Sequence, residues 1–331
     1  MPQATILPAD ATGIARAAQA LRSGDIVAFP TETVYGLGAD ATRDDAVAKI
    51  YAAKDRPEFN PLIVHVDTAE RLDQYIVWNA FARQLAARFW PGPLTLVLPV
   101  RADCPISLLA RAGLPSLAVR IPSHPVARAL LAAAALPIAA PSANRSGSLS
   151  PTTPMHVQTS LGDRINFILA AGRAQVGLES TIIDLTGAHP ALLRPGGTNL
   201  EQIEQCLGFA VESGMVDPTQ PTAPGQLTRH YAPRLPLRLN VTTARDDEIF
   251  IMFGPELGLR GGGHRKNLSL TGDLSEAAAQ LFSMLHDCDA MDISGIAIAP
   301  IPEIGLGRAI NDRLRRAAAL PDQATLDAVR K

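Results

Sequence analysis

Short apolar runs, each stopped by proline or glycine and followed at once by a polar loop, recur through the first two-thirds of this 331-residue chain. That repetition limits the possible folds more than any other feature. Residues 26–29 (IVAF) end at Pro30 and lead into the loop 30–38 (PTETVYGLG), in which hydroxyls and a carboxylate precede a glycine turn. Residues 62–66, 94–98, 117–120, 138–140, 166–169 and 180–185 read as further strands. Helical patterns alternate with them. Residues 13–21 place Ile14, Ala17, Ala18 and Leu21 on one face. Residues 42–53 start at a capping Thr42, with Asp44 and Asp45 in the first turn. Residues 79–89 close on Trp90-Pro91-Gly92-Pro93, and residues 200–206 close the series. Short strands interleaved with amphipathic helices predict an α/β domain whose open sheet is covered by helices.

Near residue 208 the pattern lapses. Residues 212–227 hold Pro218, Pro221 and Pro224 and no hydrophobic period, as expected of a linker. Strands at 237–241, 248–253 and 295–299 and helices at 275–287 and 308–319 follow, enough for a small α/β domain. The expected organisation is a domain at 1–207, a linker at 208–235 and a smaller Rossmann-like α/β domain at 236–331. His230-Tyr231-Ala232-Pro233 is unusual for a plain linker and suggests that this stretch works as a lid. Gly261-Gly262-Gly263 reads as a flexible turn.

Composition removes several classes of function. The formal net charge is −2, and there is no block of like charges to mark a body built for nucleic acid or membrane. Cys104, Cys206 and Cys288 stand far apart without a CxxC, which fits a reducing cytoplasm and neither a disulfide framework nor a thiolate zinc site. No signal peptide is visible. The longest apolar stretch, 129–140, falls short of the ~20 residues that span a bilayer. The expectation is a soluble, cytoplasmic protein without a membrane partner. The sequence has no GxxxxGK[ST], GxSxG or HExxH. Residues 36–41 match a loose GxGxxA dinucleotide pattern, but six residues separate the glycines from the strand, where a true fingerprint turns tightly.

The chemistry-bearing residues lie in the loops after strands. Lys54 is one of only four lysines in the chain and stands two residues from Arg56. Both could answer a helix C-terminus, or clamp phosphates as a point charge and a planar fork. Arg120 ends an apolar strand and needs a partner, either an anionic ligand or an internal Asp or Glu. The loop 141–147 (PSANRSG) is either an anion nest or an ordinary turn. Residues 177–184 (GLESTIID) and 193–197 (LRPGG) complete the set.

In order and spacing, PTETVYGLG, KDRP with FNPLIVHV, FWPGPLTLVL, SLAVRIP, APSANRSGSLSPT, GLESTIIDL and LLRPG resemble the threonylcarbamoyl-AMP synthase family with its YrdC-like catalytic domain. The resemblance covers residues 14–206. HYAP and the helix 305–318 are similar to the two-domain, long form. It implies a YrdC-like twisted open sheet with a positive concave face. It also implies a reaction: L-threonine, bicarbonate and ATP give L-threonylcarbamoyl-AMP and pyrophosphate. The product serves the tRNA threonylcarbamoyl transferase complex, which modifies the adenosine next to the anticodon in tRNAs that read ANN codons. Threonine contacts are implied at Thr33, His65, Arg120, Ala140 and Ser180. ATP contacts are implied at Arg56, Asn60, Ser116, Ser142, Ser150, Arg194 and Tyr231, with Lys54 and Arg56 as the catalytic cations. Mg²⁺ would be held mainly by the phosphates, with no protein ligand assigned. Two other readings exist. YrdC-like domains also occur in hydrogenase-maturing carbamoyltransferases, but those carry acylphosphatase and zinc-finger modules for which this chain lacks the length and the cysteines. A non-enzymatic RNA-binding or ribosome-assembly factor is the second, with weak RNA binding as its signature, and the neutral first domain argues against it.

Overall fold

The computed structural model describes residues 3–57, 59–214, 222–224 and 229–319. Backbone contacts divide the chain into two compact units. The first comprises Met1–Ser146 and Ser150–Gln226, and the second comprises Gly147–Leu149 and Leu227–Lys331. Most of the proline-rich stretch expected as a linker, including Pro218 and Pro221, lies outside the described residues.

The first unit is built on eleven strands. In chain order they are β1 (Thr5–Pro8), β2 (Val27–Phe29), β3 (Gly36–Asp40), β4 (Ile63–His65), β5 (Leu94–Pro99), β6 (Ser116–Arg120), β7 (Ile138–Ala139), β8 (Phe167–Ala170), β9 (Thr181–Asp184), β10 (Ala191–Arg194) and β11 (Glu212–Ser213). They form one mixed sheet in the order β1-β8-β2-β3-β7-β4-β6-β5-β9-β10-β11. Its helices are α1 (Ala11–Arg22), α2 (Asp44–Lys54), α3 (Ala80–Phe89), α4 (Pro125–Ala134), α5 (Pro154–Leu161) and α6 (Leu200–Leu207).

Successive strand residues point to opposite faces, and the core follows that alternation. Ala28, Leu37, Val64, Leu96, Val119, Ala139, Ile168 and Ile183 belong to one large apolar cluster with side chains of α2 and α3. The opposite face carries two smaller clusters. Val27, Phe29, Ile138 and Leu169 pack with α1 and α4, while Ile63, Val97, Ala118 and Ile182 pack further along the sheet. The same parity puts His65 and Arg120 on this second face, at the ends of β4 and β6 in the middle of the sheet.

Two local expectations change. Residues 36–40 are not a glycine turn. They are β3, fully buried and antiparallel to β2. Gly38 belongs there because a Cβ would come within 2.9 Å of the Phe29 ring and of the Ile138 methyl. The GxGxxA match is therefore a strand of a hairpin, not a pyrophosphate turn. Thr42 does not cap α2. Its hydroxyl donates to Asp40 Oδ1 at 2.7 Å, and Arg43 holds the cap position without a side-chain bond.

The second unit has a four-stranded, wholly parallel sheet in the order β12-β17-β14-β16, from β12 (Leu237–Arg238), β14 (Glu248–Met252), β16 (His264–Asn267) and β17 (Gly295–Ile298). A small ribbon pairs β13 (Thr243–Ala244) with β15 (Arg260–Gly261), so the triglycine joins two strands. Helix α7 (Leu274–Asp289) starts on Asp273, whose carboxylate caps two N–H groups, and α8 (Leu306–Ala318) completes the unit. No helix among the described residues is long and apolar enough to cross a membrane.

Gly196 shows how closely the first unit is packed around β9. A Cβ there would fall within 2.4 Å of the Glu179 carbonyl and of the Ser180 and Thr181 backbone. Gly196→Ala must push this loop off β9, and should lower stability by about 1–3 kcal/mol. A thermal melt of the purified variant, with the Leu108→Ala surface change as control, reads the difference.

Candidate active site

Three loops and two central strands converge on Arg120. The β4–β6 register pairs His65 with Arg120, so both side chains leave the sheet together at the strand ends. Arg120 is buried and donates from each of its three nitrogens: Nε to the Gly92 carbonyl at 3.1 Å, Nη1 to Thr33 Oγ1 at 3.0 Å, and Nη2 to Glu32 Oε1 at 2.6 Å. Of the two partners the sequence left open, the internal acid is present, and it is Glu32. The Thr33 hydroxyl is steadied in turn by Thr31 Oγ1 at 2.7 Å. Burial, and then the Arg120 charge, push the His65 imidazole down to about 3. It is neutral at physiological pH, edge-on to Phe29, with Nδ1 3.2 Å from the Ile63 carbonyl. Ala140 follows β7 and bonds its N–H to the same carbonyl at 2.9 Å. Thr33, His65, Arg120 and Ala140 thus form one neighbourhood.

Ser180 lies just before β9, next to β5. Its hydroxyl shares a 2.7 Å hydrogen bond with Thr95, and its carbonyl accepts from both Nε and Nη2 of Arg194 at 3.1 and 3.0 Å. Arg194 also reaches the Ser180 hydroxyl at 3.2 Å and the Pro224 carbonyl at 3.2 Å. A register shift in β10 between Leu192 and Arg194 re-aims Arg194 toward β9. Ser150 donates to Glu179 Oε1 beside it.

A second neighbourhood forms where α2 ends. Asp55 turns into the left-handed region at φ 51°, which stops the helix and brings Arg56 back. Lys54, only 1% exposed, donates Nζ to the Ser142 carbonyl at 2.5 Å and to the Asn144 carbonyl, so it holds the loop after β7. Among the described residues no carboxylate pairs with Lys54. Burial, and then the Arg56 charge, lower its pKa well below the usual lysine range. Arg56 bonds to the Asn60 carbonyl at 3.3 Å and the Pro61 carbonyl at 3.0 Å. The Asn60 side-chain amide is fully buried, yet among the described residues neither its oxygen nor its nitrogen has a hydrogen-bond partner. A buried amide left open costs about 1–3 kcal/mol, so an unanswered one points to a ligand. Ser116 opens β6. It pairs with Pro99 of β5, and Arg120 lies about 13 Å away along the strand.

The residues of the sequence expectation therefore fall into three linked groups in the first unit. Thr33, His65, Arg120 and Ala140 form one. Ser180, Arg194 and Ser150 form another, and Lys54, Arg56, Asn60 and Ser142 the third, while Ser116 stands at the start of β6, the strand that ends on Arg120. Tyr231 belongs to the second unit. Its buried ring packs 5.8 Å from Phe282 and beneath the Arg313 guanidinium at 4.9 Å, with a backbone φ of 61°. Sequence reasoning passed over Glu32, Thr95 and Glu179 as functional groups. Glu32 carried a signal, being the one carboxylate in PTETVYGLG and of the type an interior arginine requires.

The comparisons with known proteins agree with this architecture. The Sua5/YciO/YrdC family model, described as telomere recombination, matches residues 19–196, and the model of the threonylcarbamoyl-AMP synthase C-terminal domain matches residues 198–319. The threonylcarbamoyl-AMP synthase of Bacillus subtilis is 41% identical over 321 residues, covering 92% of each chain. That of Pyrococcus abyssi is 42% identical over 322 residues, covering 91% of this chain and 93% of its own. The crystal structure of P. abyssi Sua5 complexed with L-threonine superposes with a TM-score of 0.86 at 38% identity, covering 95% of this chain and 97% of that one. With both parts of the chain matched, and relatives alike along nine-tenths of their length, this chain belongs to the threonylcarbamoyl-AMP synthase family, a family of nucleotidyltransferase enzymes.

Proposed function

We propose that the chain condenses L-threonine, bicarbonate and ATP into L-threonylcarbamoyl-AMP and pyrophosphate. In the cytoplasm the product would pass to the tRNA threonylcarbamoyl transferase complex for modification of adenosine in tRNAs that read ANN codons. The observation that carries this reading is Lys54. A lysine held by carbonyls alone, beside a second cation and an unanswered Asn60 amide, is prepared for a polyanion. The name and bound ligand of the P. abyssi structure support threonine as the second substrate.

The residues suit the chemistry. Threonine enters as a zwitterion, its carboxylate on Arg120 and its polar groups near Thr33, His65, Ala140 and Ser180. Its ammonium loses a proton, and the amine adds to the carbon of CO₂ or bicarbonate; with bicarbonate, one water leaves. A carbamate oxygen then attacks the α-phosphorus of ATP, and the bond to the β-phosphate oxygen breaks. Neither step needs a covalent protein nucleophile, so the protein contributes position and charge. Lys54 and Arg56 stabilise the leaving pyrophosphate. Asn60, Ser116, Ser142, Ser150 and Arg194 hold the nucleotide. The donor set is cationic and amide in character: Glu32 and Glu179 are bonded to Arg120 and Ser150. Among the described residues no three His, Cys, Asp or Glu side chains could hold a metal. Mg²⁺ is thus taken as part of the ATP substrate, on its phosphate oxygens.

Pyrophosphate release by the full chain tests the reading. It should require ATP, threonine and bicarbonate together; release without threonine would overturn it. Lys54→Ala and Arg56→Ala should each slow release by about 10²–10³-fold, and near-normal rates would remove the phosphate-clamp role.

The lowered pKa of Lys54 gives a second outcome. Phosphates stabilise the ammonium form, so ATP binding raises that pKa and takes up a proton wherever free Lys54 is partly neutral. Affinity for ATP should therefore fall as pH rises through the lowered pKa of the free enzyme. Calorimetry in buffers of different ionisation enthalpy, with magnesium-saturated ATP, should show proton uptake in the native chain and none in Lys54→Met. Equal uptake in both would refute the assignment.

A further inference from the structure

Glu32 is a buried ionisable group in this site that the reaction above leaves without a task. Its side chain and that of Arg120 are each only 4% exposed, and they meet at 2.6 Å. Burial would raise the Glu32 pKa, but the charge and hydrogen bond of Arg120 outweigh it, and the carboxyl is held below its ordinary value. The pair is therefore ionised and neutral overall. A buried ion pair of this kind contributes little net stability compared with apolar residues of the same shape. Its retention asks for another reason.

The hydrogen bonds supply one. Glu32, Thr33 and the Gly92 carbonyl take one N–H from each nitrogen of Arg120. A guanidinium has five N–H groups, so one remains on each terminal nitrogen, both in the guanidinium plane and open to a ligand carboxylate. Lys54 presents the contrast. Among the described residues it has carbonyl partners and no acid, and Arg56 stands two residues away.

We infer that Glu32 is a positioning and selectivity residue: it locks Arg120 as a neutralised two-pronged donor, so that this pocket takes a zwitterionic amino acid and refuses free anions. The triphosphate is thereby directed to Lys54 and Arg56 and kept out of the threonine position. This inference rests on the proposed threonine site.

The test uses the full chain with Glu32→Gln and Glu32→Asp, measuring KM for each substrate, kcat, and threonine binding by calorimetry. Glu32→Gln should raise the threonine KM at least tenfold while the ATP KM changes less than twofold. Inorganic sulfate should become competitive with threonine in Glu32→Gln and not in the native chain, a change that loss of packing alone would not produce. Glu32→Asp keeps the charge with one methylene less reach. It should raise the threonine KM severalfold without making sulfate competitive, and it keeps the inference testable if Glu32→Gln does not fold. An unchanged threonine KM in either folded variant overturns the inference, as does a parallel rise in both KM values. A native chain that binds no threonine sinks the functional reading and this inference with it. Native binding with unaltered variants sinks this inference alone.

Discussion

Arg120 carries a full charge into the interior from the end of a strand whose residues 117–119 are all apolar and buried, and three separate segments are placed by the need to answer it. The loop after β2 brings Glu32 and Thr33. The turn before β5 turns the Gly92 carbonyl inward. The neighbouring strand β4 ends on His65, whose ring stays neutral partly because that cation is beside it. Leaving such a charge unpaired would cost several kcal/mol. The closure of the loops around β6 therefore has an electrostatic as well as an apolar cause.

The sheet decides where this chemistry can stand. One face is committed to the large apolar core through alternate strand residues. The other face breaks into two smaller apolar clusters, and there polar side chains reach the strand ends without disturbing the main core. Strands β4 and β6 run in parallel and end together on His65 and Arg120, so two short strands set the distance of Arg120 from the Lys54–Arg56 pair. Each end treats its charge differently: Lys54 is answered by carbonyls, and Arg120 by a carboxylate, a hydroxyl and a carbonyl.

Much of this was legible in advance, and the exceptions have local causes. The strands at 94–98, 117–120 and 180–185 and the helices at 79–89 and 275–287 were readable to within about two residues, because periodicity and caps agree there. The segment Gly36–Asp40 was not, since two glycines suggest a turn; it is a strand because it pairs with β2 and β7, and Gly38 is needed there because the Phe29 ring fills the space of a side chain. Thr42 looked like a cap, but Asp40 claims its hydroxyl. The ribbon of β13 and β15 has strands too short to leave a pattern.

The sequence by itself determined the alternation of strands and helices in most of the chain, the polar clusters that follow the strands, and the scarcity of lysine that singled out Lys54. These are local properties, set by hydrophobic period, turn residues and composition. Only the tertiary structure decided who answers whom. Glu32 meets Arg120 across 88 residues, and Lys54 reaches the Ser142 carbonyl across another 88. Chain neighbours do not record such pairings, because a buried charge is satisfied by whatever the fold brings within about 3 Å of it.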